Sequence, residues 1–173
     1  MTVHERDIYR RIEGSEFTNK NWNSEQAEKA PQLRLMRERF NQVSFWVASV
    51  LLSARQTSTQ QSCFKFFCML AVELLELKNW NGVGEIVAGL QNVSVSRLHL
   101  ESHLDEALAR KMEDRVYPLF DVITNFKLYR EVVAAEPSTS MCIPYLPLHL
   151  RDILGETFAL ISFLPLFLFV ISF

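Results

Sequence analysis

The chain has 173 residues, of which 49% are hydrophobic and 22% charged, which excludes a disordered chain and suits one domain with its own core. The formal net charge of −2 lacks the basic excess of nucleic-acid-binding proteins, so no nucleic-acid partner is expected. Five glycines and six prolines are too few for a turn-rich all-β protein.

The cysteines indicate a reducing compartment. Cys63, Cys68 and Cys142 are odd in number and show no C-x-x-C spacing, so we expect buried free thiols rather than disulfides or metal ligands. The N-terminal residues are polar and do not resemble a signal peptide. Both features favour a cytoplasmic location.

The first half of the chain shows helical spacing of its apolar residues. A short helix is predicted around residues 3–12, and a long one over about 32–54, after a capping pattern at Asn23 and Gln26. A polar loop is expected at 56–62. The helix predicted over about 63–77 is apolar on every face, which is typical of a helix at the centre of a domain.

The second half continues in the same way. Helices are predicted within 79–91, over about 101–112 and after Pro118. The helix after Pro118 would carry a buried stripe of Leu119, Val122, Ile123, Phe126 and Val133. No segment alternates as a strand does, so the predicted class is all-α.

The stretch NWNGVGEIVAGL (79–90) contains two glycines at the spacing of a phosphate-binding loop. Such a loop continues with Lys and Ser or Thr, whereas Leu90 and Gln91 follow Gly89 here. Both glycines also lie inside a helical pattern, where a phosphate loop has to precede the helix. We therefore interpret Gly84 and Gly89 as positions of close helix packing.

No catalytic or metal-binding constellation is apparent in the sequence. His99 and His103 are four residues apart, but Leu100 stands where a zinc protease has Glu, and no third ligand is evident. There is no G-x-S-x-G nucleophile motif. The residues themselves thus predict neither a metal nor a cofactor.

Five segments, in order, resemble the CDC25-homology domain, which is the catalytic domain of guanine-nucleotide exchange factors for Ras-like GTPases. They are NWNSEQAEKAPQL with Trp22, RFNQVSFWVASVLL (39–52), NWNGVGEIVAGL followed by VSVSRL (79–98), NFKLYR (125–130) and IPYLPLHLRDI (143–153). The resemblance implies an all-α, multi-helix orthogonal bundle over residues 1–153. The phrase GLQNVSVSRL is most similar to members that act on Rap.

The resemblance implies a protein partner rather than chemistry of the chain's own. Such domains make no covalent bond and use no cofactor; they bind the nucleotide-free GTPase far more tightly than the loaded one. Because binding is linked, tight protein binding weakens nucleotide binding by the same factor. In the family, a helical bowl holds switch 2 and a helical hairpin displaces switch 1.

The matching positions give the candidate GTPase-binding residues. The first block places Asn41 and Trp46 off the core stripe of the long helix. Asn79 and Asn81 match the paired asparagines of the second block, where capping of the following helix is the alternative role. Arg97 matches the arginine after that helix, although a lone arginine is more often part of a surface ion pair. Tyr145, Leu148 and Asp152 match the third block, beside the GTPase-facing surface.

Three departures from the family pattern affect these expectations. Ser102 stands where the family usually has Trp, and Pro147 stands where Ras-directed members usually have Gly, which favours Rap over Ras or Ral. After Asp152 the family continues into the helical hairpin, whereas this sequence becomes apolar. We therefore expect a truncated domain with weak or no exchange activity, or a GTPase-binding module without catalysis.

The apolar tail, residues 154–173, is expected to lie outside the core. Residues 158–173 carry no charge, yet they are fewer than the roughly 20 that span a bilayer as a helix, and Pro165 interrupts them. A replaced C-terminal sequence, a membrane anchor that would make the chain a helical membrane adaptor, and an apolar helix packed in place of the hairpin are the alternatives.

Overall fold

Eight α-helices make up most of the chain in the computed structural model, which describes residues 2–17, 27–137 and 139–155. They are α1 Thr2–Tyr9, α2 Pro31–Ser53, α3 Thr57–Glu76, α4 Trp80–Leu90, α5 Val93–Ser96, α6 Glu106–Lys111, α7 Lys127–Ala135 and α8 Leu146–Gly155. Shorter helical turns occur at Ala27–Lys29, Leu100–His103, Met112–Val116 and Tyr117–Phe120. Within the described ranges no strand forms, so the all-α prediction is confirmed.

Helix α4 lies at the centre of the fold, in contact with both α2 and α3. All of its residues except Ala88 are buried. The prediction that α3 is the central helix is wrong, because Phe66 and Met69 are 56% and 51% exposed. One face of α3, with Phe64 and Phe67, packs inward, whereas Phe66 and Met69 on the opposite side point to solvent.

The two long helices, α2 and α3, differ in how they begin. Pro31 occupies the first turn of α2, where its missing N–H is not needed. Helix α3 begins at Thr57, so the polar loop predicted at 56–62 is wrong. The first turn of α3 is polar because it is exposed, and Gln60 Nε2 donates to the carbonyl of Leu51 at 3.2 Å, which ties α3 to the end of α2.

The helix predicted after Pro118 is interrupted by a tight turn. Residues 121–126 form the turn, in which the Phe126 N–H donates to the carbonyl of Asp121 at 2.9 Å. Asn125 and Phe126 both adopt left-handed backbone conformations, with φ of 54° and 57°, which no α-helix accommodates. The predicted stripe is wrong at Val122 and Ile123, which are exposed, and correct at Leu119, Phe126 and Val133, which are buried.

Several sequence expectations concern single residues. His99 adopts a left-handed conformation before the turn Leu100–His103, so it does not share an α-helical face with His103. The three cysteines are free, and Cys68 is buried whereas Cys63 and Cys142 are half-buried.

Trp22, Asn23, Gln26 and the apolar residues 158–173 lie outside the described residues. Within the described ranges, no helix has both the length and the apolarity needed to cross a membrane.

The interpretation of Gly89 as a site of close helix packing leads to a stability prediction. A Cβ at position 89 would lie 2.6 Å from Val47 Cβ and 2.7 Å from the carbonyl oxygen of Ser44. We expect Gly89→Ala to lower the free energy of unfolding by about 2 kcal/mol, because α2 and α4 would have to separate. Urea titration would measure the change. Gly14→Ala, which meets nothing within 4 Å, is the control and should change stability by less than about 0.5 kcal/mol.

Candidate functional site: the paired asparagines and the third block

Asn79 begins the central helix and is completely buried. Its Oδ1 accepts the N–H of Gly82 at 2.8 Å, so Asn79 is the N-cap of α4. Its Nδ2 donates to Glu5 Oε2 at 2.6 Å and to Thr2 Oγ1 at 3.1 Å, both on α1. The second asparagine of the motif therefore is not the cap.

Asn81 lies in the first turn of α4 and is also buried. Its Nδ2 donates to Glu5 Oε1 at 3.0 Å and to Glu85 Oε1 at 3.1 Å. The role predicted as the alternative, capping, thus belongs to Asn79, whereas Asn81 connects α4 to α1. Both amide groups make their hydrogen bonds inside the chain.

The third block is attached to the same place by backbone hydrogen bonds. The N–H of Asn81 donates to the carbonyl of Ile143 at 3.3 Å, and the N–H of Ile143 donates to the carbonyl of Lys78 at 3.0 Å. These bonds form an isolated parallel bridge between Asn79 and Ile143. The hydroxyl of Tyr9 on α1 donates to the carbonyl of Pro144 at 2.8 Å. Helix α1 and the paired asparagines together fix the chain before α8.

Tyr145 leads from this anchor into α8 and is half-buried. Its ring lies 5.1 Å from that of Phe120 and 5.8 Å from that of Phe126, measured between centroids. Phe40 on α2 is 6.0 Å away. A Cβ at position 84 would lie 2.6 Å from the Tyr145 ring, so Gly84 makes room for this side chain. Gly84, like Gly89, is therefore a packing position, as predicted.

A buried tyrosine–histidine pair holds the start of α8. The N–H of Tyr145 donates to the hydroxyl of Tyr129 at 2.8 Å, and that hydroxyl lies 3.0 Å from His149 Nε2 in a second hydrogen bond. Burial lowers the pKa of His149 to about 4, with the Asp152 carboxylate opposing this effect. His149 is therefore neutral at physiological pH, and its role is to support the helix.

Two other residues of the third block face inward or make ion pairs. Leu148 is buried against Trp80 and Tyr129 in one apolar cluster. Asp152 Oδ2 lies 2.7 Å from Arg130 Nη1, and Asp152 Oδ1 accepts from Arg130 Nη2 at 2.8 Å. Because Arg130 Nε also donates to the carbonyl of Asn125 at 3.1 Å, it joins α8 to the turn 121–126.

We call the exposed side chains of this turn and of α8, together with the half-buried Tyr145, the α8 face; it consists of Val122, Ile123, Tyr145, Pro147 and Arg151. Arg151 stacks over the Phe126 ring at 5.1 Å and hydrogen bonds to Asn125 Oδ1, which connects the turn to the helix. At the tip, Ile123 is 96% exposed and Val122 is 67% exposed. Two aliphatic side chains are thus held in solvent by a fixed turn.

Sequence reasoning missed this feature because helical spacing placed both residues in the core. The available signal was local. Asp121 and Asn125 are turn-forming residues, and Asp121 Oδ1 accepts the N–H of Ile123 at 2.9 Å, as in an Asx-turn.

The remaining predicted site residues lie elsewhere. Asn41 is exposed on α2, one residue after Phe40, which contacts Tyr145. Trp46 is half-exposed and packs edge-on against Phe67 of α3 at 5.3 Å. Arg97 is exposed after α5. The structure thus brings together Asn79, Asn81, Tyr145, Leu148 and Asp152, but it places Trp46 against α3. The assignment of all eight residues to GTPase binding stays a prediction.

The part of the chain that the structure describes holds no group of three or more His, Cys, Asp or Glu side chains placed to bind a metal ion. The ionisable groups with strongly shifted pKa are buried structural ones. Burial raises the pKa of Cys68 to about 12, and it also raises the pKa of Tyr129.

Proteins named as Ras guanine nucleotide exchange or releasing factors are similar to this chain over most of its length. The chain is 34% identical over 157 residues to Ras guanine nucleotide exchange factor E of Dictyostelium discoideum, covering 88% of the chain and 15% of the relative. It is 31% identical to exchange factor D of the same organism, covering 90% and 23%, and 29% identical to the chicken (Gallus gallus) Ras-specific guanine nucleotide-releasing factor RalGPS1, covering 88% and 26%. The chain therefore spans only 15% to 26% of the length of these relatives.

The RasGEF domain family matches residues 1–166. This range includes every segment of the resemblance and continues past residue 153, where the tail was expected to begin. The division of the chain at residue 153 stays a prediction. Because the match covers most of the 173 residues, the chain belongs to the RasGEF domain family.

Proposed function

We propose that this chain binds a Ras-family small GTPase through the α8 face and acts on its nucleotide state as a guanine-nucleotide exchange factor. The observation that carries the proposal is the exposed pair Val122 and Ile123, in a turn whose Phe126 contacts both Tyr145 and Arg151 of the third block. Rigid exposed aliphatic side chains next to a positive and an aromatic one are typical of a protein-binding surface.

In this proposal the predicted site residues have two different roles. Tyr145 contacts the GTPase directly, and Asn41 lies at the edge of the contact. Asn79, Asn81, Leu148 and Asp152 are positioning residues, because they are buried or ion-paired and hold the chain on either side of Tyr145. Trp46 and Arg97 would contact the GTPase only if it extended beyond the α8 face.

We propose Rap as the favoured partner over Ras or Ral. The support is the similarity of GLQNVSVSRL to Rap-directed members and the presence of Pro147, which is exposed in the first turn of α8. The names of the relatives above refer to Ras, so a panel of GTPases is needed to test this preference.

We further propose that residues 1–173 alone accelerate exchange only weakly. By the resemblance, the helical hairpin that displaces switch 1 would follow Asp152, where this sequence becomes apolar. A protein that binds the loaded and the empty GTPase almost equally shifts no equilibrium, however tightly it binds. Without that displacement the chain would be a GTPase-binding module with little catalytic effect.

Release of fluorescent GDP from Rap, Ras and Ral, together with pull-down by each nucleotide-free GTPase, tests these proposals. We expect nucleotide-free Rap to retain the chain better than Ras or Ral, and GDP release to stay close to the intrinsic rate. Release faster by orders of magnitude would contradict the weak activity. Failure of all three GTPases to bind would contradict the function itself.

A membrane contact through residues 158–173 is a second proposal, supported by the absence of charge in that segment. Co-sedimentation with phosphatidylcholine vesicles would test it. Binding that persists after these residues are deleted would contradict it.

A further inference from the structure

Two glutamates face each other at the contact between α1 and α4. Glu5 and Glu85 are both completely buried, and both lie within hydrogen-bonding distance of the same amide group. Asn81 Nδ2 donates to one oxygen of each, at 3.0 Å and 3.1 Å. Two buried carboxylates at such a distance strongly disfavour ionisation of both.

Positive charge near the pair is too distant to neutralise both acids. Arg39 on α2 is the nearest cation; its Nε lies 3.9 Å from Glu85 Oε1, at the outer limit of an ion pair. The α-amino group of the chain acts on Glu85 more weakly. Tyr9 also faces the pair from α1, but its hydroxyl is neutral and donates to Pro144. Among the described residues, neither the backbone bridge at Lys78 and Ile143 nor α8 places a charged side chain in a hydrogen bond with the pair.

The hydrogen bonds distinguish the two carboxyl groups. Both oxygens of Glu5 accept, Oε2 from Asn79 and Oε1 from Asn81, as an ionised carboxylate does. Glu85 Oε1 accepts from Asn81, but Glu85 Oε2 is buried without a hydrogen-bond partner among the described residues. A proton on Oε2 would remove the negative charge from this buried atom, which accepts no hydrogen bond from the described residues.

We propose that Glu5 and Glu85 share one proton, carried on Glu85, and that this proton keeps α1 docked on α4. With it, the pair carries one negative charge opposite Arg39. Without it, two negative charges lie together away from water, and the separation of α1 from α4 relieves their repulsion.

The electrostatics support this geometry. Burial, and next the negative charge of Glu5, raise the pKa of Glu85 to about 8, whereas Arg39 opposes the increase. In the unfolded chain the pKa of a glutamate is 4.5. The folded state therefore binds one more proton than the unfolded state between these values, so stability falls as the pH rises towards 8.

Docking of α1 has a consequence for the third block. Helix α1 supplies Tyr9 to Pro144 and Glu5 to both asparagines, and the backbone of Lys78 and Asn81, on either side of Asn79, holds Ile143. Loss of the proton would therefore loosen the segment before Tyr145. A resulting loss of GTPase binding rests on the proposed function, whereas the loosening itself does not.

The test is the thermal stability of the 173-residue chain between about pH 6.5 and about pH 8.5, compared with Glu85→Gln. Below this range the depressed pKa of His149 gives a slope of opposite sign, because the unfolded chain then binds the additional proton. For the unmodified chain we expect the unfolding equilibrium constant to rise by up to about tenfold per pH unit below pH 8. Glu85→Gln, which is permanently neutral, should lose this dependence and exceed the unmodified chain in melting temperature at the upper end.

A control variant and two measurements on the unmodified chain keep the test from depending on whether Glu85→Gln folds. Glu73→Gln removes an exposed glutamate of α3 and should retain the full pH dependence. In the unmodified chain, infrared spectroscopy should show a protonated carboxyl at pH 7 that disappears at higher pH, and exchange of the Ile143 amide should accelerate over the same range beyond its intrinsic rate. A stability independent of pH, a slope that Glu85→Gln retains, or no protonated carboxyl at pH 7 would each overturn the proposal.

Discussion

Asn79→Ala is expected to lower the free energy of unfolding by about 3 kcal/mol. The substitution removes the N-cap of α4, which contributes about 1 kcal/mol. It also removes the donor to Glu5 Oε2, and hydrogen bonds to charged groups contribute about 1.5–3 kcal/mol. Because α4 is the central helix, the loss should appear as lower stability of the whole domain in urea or thermal unfolding.

Asn92→Ala is the matched control for this prediction. Asn92 is also an asparagine N-cap, accepting from the N–H of Ser94 at 3.0 Å at the start of α5, but it is partly exposed and has no buried acid to satisfy. We expect a loss of about 1 kcal/mol or less. Equal effects of the two substitutions would mean that the bond from Asn79 to Glu5 contributes nothing beyond capping.

The fold class and the long helices could be predicted because their apolar residues recur at helical spacing. Helix α2 was expected over 32–54 and is observed at Pro31–Ser53. The spacing of apolar residues does not reveal a helix where its first turn is polar and exposed, as at Thr57. It also predicts a helix wrongly where a turn happens to show helical spacing, as at Val122 and Ile123. In the second case tertiary contacts prevail: Phe126 packs against Tyr145 in a left-handed conformation, and the preceding residues turn outward.

The candidate site was predictable in its motifs but not in its hydrogen bonds. The sequence marks Asn79 and Asn81 equally, and either could cap a helix. Which one does so depends on Glu5, 74 residues away from Asn79, and no local pattern indicates that contact. The pairing of Glu5 with Glu85 is invisible for the same reason, since two acids are brought together only by the docking of α1 on α4.

The structure also changes how the motif residues relate to a partner. Asn79 and Asn81 match binding residues of the family in sequence, yet their side-chain amides donate hydrogen bonds to glutamates of the same chain. In the proposed interface the exposed side chains of Pro147 and Arg151 belong to the third block, whereas Val122 and Ile123 lie just before the motif NFKLYR. The motif asparagines would then support the proposed surface without being part of it.

Ile123→Asp is expected to weaken binding of nucleotide-free GTPase by about tenfold or more while leaving stability nearly unchanged. Ile123 is 96% exposed, so its replacement removes no core contact. At the centre of a protein interface, loss of an apolar anchor together with burial of an unpaired carboxylate has effects of this size. Biolayer interferometry with immobilised nucleotide-free Rap, alongside a thermal melt, would measure both quantities.

Val93→Asp supplies the control, since Val93 is also an exposed aliphatic residue, 68% exposed on α5, outside the α8 face. It should leave both binding and stability unchanged. Should Val93→Asp weaken binding while Ile123→Asp does not, the GTPase would lie on the side of α5 and Arg97, and the α8 face would not be the contact. Should both weaken it equally, the loss would reflect added negative charge rather than a specific contact, because a long-range repulsion acts on either position and is reduced by salt.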